Sequence, residues 1–139
     1  MPGPGPRTEF SWEVWPAAIY QMIKRIDADY GHPPIYVTEN GCSYGVGPGP
    51  DGRVHDDKRI EFYQGYIGQV ARALDEGCDV RGYYAWTLLD NFEWATGFSQ
   101  RFGLTYTDFE TRKRTIKDSG YWFRDLIAKN EIEYDETLV

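Results

Sequence analysis

IYVTENG, residues 35–41, can be read in two ways, and the choice decides the fold. Ile35, Val37 and Thr38 are β-branched and Tyr36 is aromatic, so the stretch begins as a strand. Asn-Gly after a short apolar run is a strong hairpin signal, and on that reading Glu39 is merely the last residue of a strand. A hairpin needs an alternating partner strand close behind. The chain continues instead as NGCSYGVGPGPDGRVHDD, rich in Gly and Pro, which reads as a long loop. The strand therefore stops at a loop, and Glu39 stands at its end.

The flanks extend this picture. Trp15-Pro16 marks a helix start, because proline is tolerated at the first helical position. Ile19, Met22, Ile23 and Ile26 then recur at helical spacing, and YGHPP stops the helix. After the loop a second helix is expected from Asp56 or Asp57, either of which could cap it. Its apolar face reads Ile60, Tyr63, Ile67, Val70, Ala71 and Leu74, and Gly77 is placed to end it. DVRGYYAWTLLD is a second strand candidate whose apolar run suggests burial on both faces, as in a parallel sheet. RFGLTYTDFETRKRT reads as a small hairpin in a longer loop. Asp118 or Ser119 can cap a third helix, GYWFRDLIAKN, with Trp122, Phe123, Leu126 and Ile127 inward. The order helix, strand, helix, strand, helix contains a βαβ unit, so the fold class is α/β with two parallel strands. Two such strands alone leave two open edges, which points to a piece of a larger sheet. MPGPGP is expected to be an irregular leader, and EIEYDETLV a tail.

Composition removes several function classes. The net charge of −7 offers no basic excess for nucleic acid or an anionic membrane. No apolar run approaches the ~20 residues of a membrane span, and the N-terminus lacks the apolar core of a signal peptide. Cys42 and Cys78 show no metal or redox spacing. They read as unpaired thiols of a cytoplasmic protein, with a single disulfide as the lesser alternative. No metal or organic cofactor is indicated. The 5 Trp, 11 Tyr and 7 Phe suit either a core or a sugar site.

Both strands run into polar clusters. Glu39 and Asn40 follow the first; Trp86, Asp90, Asn91, Glu93 and Trp94 follow the second. In parallel α/β folds, active sites lie at the C-terminal strand ends. Each Glu could be an ordinary exposed loop carboxylate. Two carboxylates and two tryptophans at neighbouring strand ends make a site as good a reading.

IYVTENG resembles the nucleophile motif of glycoside hydrolase family 1, the retaining β-glucosidases and β-galactosidases. WEVWPAAIY, HDDKRIEFY, GYYAWTLLDNFEWATGFSQRFGLTYTDF and TRKRTIKDSGYW follow the C-terminal pattern of that family in order, so the likeness runs over residues 8–132. The resemblance implies a partial (β/α)8 TIM barrel: its last two βα units with the preceding helix, between a leader (1–7) and a tail (133–139). It also implies hydrolysis of terminal β-D-glucosides or galactosides by double displacement. Glu39 would be the nucleophile, because a carboxylate is charged near neutral pH, can form a glycosyl ester and can leave again. Asn40 and Gly41 would shape the turn behind it. Trp86 would be the platform under the sugar, Glu93 the grip on O4 and O6, Trp94 an indole N–H donor, and Phe102 an aromatic wall.

The absences are as specific. A retaining glycosidase needs a second carboxylate ~5 Å from the nucleophile, carried in this family by an Asn-Glu-Pro motif that does not occur here. The acid/base and the rest of the glycone grip are therefore expected from a complementary N-terminal part of the barrel. The alternative is an inactive barrel piece that self-associates or binds sugars weakly. Tyr66 stands where the family often has His, and Gly120 where it has Ala or Ser. Neither is expected to touch the site, and a helical glycine is expected to cost about 0.5–1 kcal/mol.

Overall fold

A computed structural model describes residues 5–138. Helix α1 (Ala17–Asp29) follows Pro16, whose φ of −58° is already helical. It ends where Gly31 takes a φ of 72° ahead of Pro33 and Pro34. Strand β1 is Ile35–Asn40, helix α2 is Asp57–Asp75 and strand β2 is Val80–Ala85. Gly77, at a φ of 95°, ends the turn after α2 and donates its N–H to the Leu74 carbonyl. After β2 come a short 3-10 turn (Trp94–Thr96), the antiparallel pair β3 (Thr105–Thr107) and β4 (Arg114–Ile116), and helix α3 (Asp118–Lys129).

Strands β1 and β2 pair in parallel as a two-stranded sheet, so the Asn-Gly turn makes no hairpin. Under one face lies a core of Ile23, Ile35, Val70, Ala73, Cys78 and Val80. A second cluster, Cys42, Tyr44, Phe62, Tyr63 and Leu104, sits beneath the loop ends, with Trp122 and Phe123 of α3 against it. Both cysteines are buried free thiols.

Several expectations need correction. Burial of β2 on both faces does not occur: Tyr84 is 58% exposed, on the same face as Tyr36, whose rings together cover Gly82. Nothing among the described residues covers that face. Met22, Leu74 and Ile127, read as inward, are exposed at 57%, 48% and 65%. Their helical periodicity marks apolar surface that the described residues do not bury. The expected caps are also redirected. Asp56 stands at the N-terminus of α2 but makes no cap bond to it. Its carboxylate instead takes the Arg59 guanidinium and both the N–H and hydroxyl of Ser119, an orphan donor of α3's first turn. Lys117, not Asp118 or Ser119, precedes α3, and Asp118 binds Arg53 and His55.

Gly120 is not merely a weak helix residue. A Cβ there would stand 2.8 Å from the Leu104 carbonyl oxygen, so the glycine lets α3 approach the loop beneath it. The first four residues of the leader lie outside the described residues, and Pro6 already accepts a bond from the Val14 N–H. Toward the other end, residues 134 and 135 lie against α2, through Tyr134 to Asp75 and the Asp135 carbonyl to Gln69.

Candidate active site

Ile35 and Val37 point into the core under α1 and α2. Strict alternation would send Glu39 the same way, into an apolar layer. It does not go there. Val37 pairs with Tyr83 and Asn40 with Ala85, so β1 advances three residues while β2 advances two. This one-residue bulge restores Asn40 to the helix side and leaves Glu39 on an open cleft of about 470 Å³.

The same cleft is lined by Glu39, Asn40, Gly41, Trp86, Glu93, Trp94 and Phe102, whereas Asp90 and Asn91 of the second polar cluster do not line it. Gly41 is required by contact, since a Cβ would lie only 1.8 Å from the Trp86 carbonyl oxygen. The Trp86 N–H donates to the Asn40 carbonyl at 2.8 Å, which sets the platform candidate directly beside the bulge. From behind, the Tyr63 hydroxyl donates to the Trp86 carbonyl and the Tyr83 hydroxyl to Asn40 Oδ1. Burial raises the pKa of both tyrosines far above the phenol range, so both remain donors. Glu93 opens the 3-10 turn, which closes as its N–H meets the Gly97 carbonyl at 2.6 Å. Trp94 is 80% exposed, and Phe102 is buried against Phe10 and Trp12. Among the described residues no cation pairs with the carboxylate of Glu39 or Glu93, so both are free to meet a polar ligand.

Behind the cleft the charges are fully paired. Arg59, wholly buried, donates to the carbonyls of Cys42 and Tyr44 after β1 and of Arg101 and Phe102 after β2. Asp90 accepts from Lys117 Nζ, Arg101 Nη1 and the Gly103 N–H at 2.8–2.9 Å. Burial pulls the Lys117 ammonium down to about 8.

Sequence reasoning missed part of the lining. Tyr66, expected to lie away from the site, lines the cleft, stacked on Phe62 and accepting the Trp15 N–H. It packs against the cluster of Cys42, Phe62, Tyr63 and Leu104, a placement that its helical position alone could not give. Thr8, Trp12 and Glu13 also reach the cleft. The aromatic WEVW stretch was the available signal for Trp12 and Glu13. Among the described residues no group of His, Cys, Asp and Glu is arranged to hold a metal and no helix is long and apolar enough to cross a membrane.

Comparison with known proteins bears on the family and the fold. The family model described as Glycosyl hydrolase family 1 matches residues 3–132. Beta-glucosidase A of Thermotoga maritima is 45% identical over 128 residues, 92% of this chain and 29% of that protein. A 6-phospho-beta-galactosidase of Streptococcus equi subsp. zooepidemicus is 44% identical over 128 residues, 91% of this chain and 27% of the other. The solved family 1 b-glucosidase from Thermotoga maritima superposes with a TM-score of 0.92 at 44% identity, over 96% of this chain and 30% of that one. The chain thus spans less than a third of the length of these relatives.

Proposed function

The chain belongs to glycosyl hydrolase family 1, and we propose that it supplies the nucleophile and part of the glycone site of a retaining β-glycosidase. On this reading residues 8–132 are the last two βα units, with the preceding helix, of a (β/α)8 barrel. The rest of the barrel, with the acid/base carboxylate, comes from a complementary N-terminal part. Two observations support the larger barrel: the open edges of β1 and β2, and the uncovered face bearing Tyr36 and Tyr84.

The observation that carries the proposal is the bulge that brings Glu39 into one cleft with Trp86 and Glu93. The Glu39 carboxylate attacks the anomeric carbon as the aglycone oxygen leaves, protonated by the acid of the complementary part. Water, deprotonated by that same group, then attacks the glycosyl ester and frees Glu39 with retention. Trp86 offers a ring face to the sugar's C–H face. Glu93 takes O4 and O6 in charge-assisted hydrogen bonds, Trp94 donates its indole N–H, and Phe102 closes the pocket wall. Gly41 keeps the turn tight enough for Glu39 and Trp86 to be neighbours.

Both kinds of relative, the β-glucosidase and the 6-phospho-β-galactosidase, offer a substrate class. A carboxylate on O6 repels a 6-phosphate, so Glu93 favours unphosphorylated glucosides and galactosides. The proposed setting is the cytoplasm, in keeping with two buried free thiols. The second reading, an inactive piece that self-associates or binds sugars weakly, rests on the same open strand edges.

Two assays separate them. The chain alone is expected to hydrolyse an aryl β-glucoside no faster than its Glu39→Ala variant. Co-folded with the N-terminal remainder of the Thermotoga maritima relative, it is expected to gain Glu39-dependent turnover. Turnover by the chain alone, or a folded complex without activity, contradicts the proposal.

A further inference from the structure

The bulge that frees Glu39 has to be held in place. Backbone hydrogen bonds do not hold it, because they are blind to side-chain identity. Slipped by one residue, β1 could still offer the Trp86 N–H a carbonyl, that of Glu39 instead of Asn40. Register is chosen by side chains. After the bulge, the side chain turned to the helix layer is Asn40, whose Oδ1 accepts from the Tyr83 hydroxyl at 2.6 Å. In the slipped register Glu39 would occupy that place, its carboxylate surrounded by the apolar layer to which Ile67, Ala85 and the Tyr83 ring belong. Among the described residues no cation reaches that place; the Tyr83 hydroxyl could donate to the carboxylate, but burial of a charge without a counter-charge is strongly disfavoured.

Tyr83 is well placed to hold the Asn40 side chain. Its ring packs against both core clusters, so the hydroxyl has little freedom. Its single hydrogen-bonding partner among the described residues is Asn40. It sits opposite Val37, the last regularly paired residue before the bulge.

We infer that Tyr83 is a positioning residue: by holding the Asn40 side chain on the helix side, it locks the extra residue of β1 and so keeps Glu39 turned to the cleft. This gives Asn40 a second duty beyond shaping the turn. The effect on the strand pair stands on geometry alone. Its catalytic consequence rests on the proposed role of Glu39.

The test begins with the 139-residue chain and Tyr83→Phe, which removes one oxygen and keeps the ring. Amide exchange is followed residue by residue by NMR. The Trp86 amide, bonded to the Asn40 carbonyl, should exchange about 10-fold faster or more, while the Ile35 amide at the far end of the pair and the Cys78 amide, bonded to the Ala73 carbonyl before β2, keep their rates. Asn40→Ala should reproduce the change, and the double variant should add nothing to it. If Tyr83→Phe does not fold, Asn40→Ala alone carries this test. An unchanged Trp86 rate overturns the inference, as does equal acceleration at Ile35 and Cys78.

The second readout uses the co-folded barrel. There Tyr83→Phe should lower kcat by roughly 10- to 100-fold with KM within about 2-fold, the signature of a misaimed nucleophile. Unchanged kcat in an active barrel contradicts the positioning role. A barrel inactive with Tyr83 intact contradicts the proposed function instead, and the exchange result then decides the inference by itself.

Discussion

On one face of the β1–β2 pair, Ile35, Val80 and Tyr83 lie under α1 and α2. Below the strand ends on that side, Arg59, Asp56, Asp90 and Lys117 are buried and mutually satisfied. On the other face Tyr36 and Tyr84 are bare, and the cleft carboxylates Glu39 and Glu93 have no charged partner among the described residues. On the proposed function, the paired polar groups serve stability and the unpaired ones serve reactivity. The bulge in β1 is the joint between the two, moving one carboxylate from the first environment into the second.

The sharpest way to break this division is to exchange the effects. Glu39→Ala in the co-folded barrel should lower kcat/KM by about 10⁴-fold or more yet leave the melting temperature within roughly 2 °C. A large loss of stability would mean that Glu39 serves the scaffold. Next in size is Arg59→Met. It strands the buried Asp56 carboxylate and removes donors from four loop carbonyls, so urea unfolding should report a loss of about 3–5 kcal/mol. A change below 1 kcal/mol would show that the paired side is not where stability lies.

A smaller effect tests the same side by pH. Lys117 titrates at about 8 in the folded chain, below its ordinary 10.5. Between these values the unfolded chain binds more protons than the folded one, so this group adds stability as pH rises from about 8 to 10.5. The stability of the parent relative to Lys117→Met should therefore rise by on the order of 1–3 kcal/mol across that window. A flat difference contradicts the buried charge. Smallest of all, Tyr84→Ser on the bare face should change the chain's own stability by less than about 0.5 kcal/mol. It should also weaken association with the complementary part, measured by calorimetric titration.

Much of this was legible in the residues. Helical spacing at Ile19, Ile23 and Ile26, and Gly77 after α2, delimited elements because their causes are local. Glu39, Trp86 and Glu93 were findable because strand ends gather side chains. Non-local causes were harder. Asp56 reads as a cap for its own helix, and only the fold brings Ser119 and Arg59 to claim it. Met22, Tyr84 and Ile127 carry the pattern of buried residues, yet that pattern does not say which segment covers them. Tyr66 reached the cleft through its packing on the cluster of Cys42, Phe62, Tyr63 and Leu104. The bulge left no mark in IYVTENG, since it is a count of residues against a partner strand 43 positions further on, at the level of the Asn40–Tyr83 bond.

The central claim is that Glu39 becomes covalently bonded to sugar. A 2-deoxy-2-fluoro β-glucoside with a good leaving group, incubated with the co-folded barrel, should trap the glycosyl ester. Peptide mass spectrometry should then find the added mass on Glu39 and nowhere else. Label on another carboxylate, or turnover with no label at Glu39, would contradict the account.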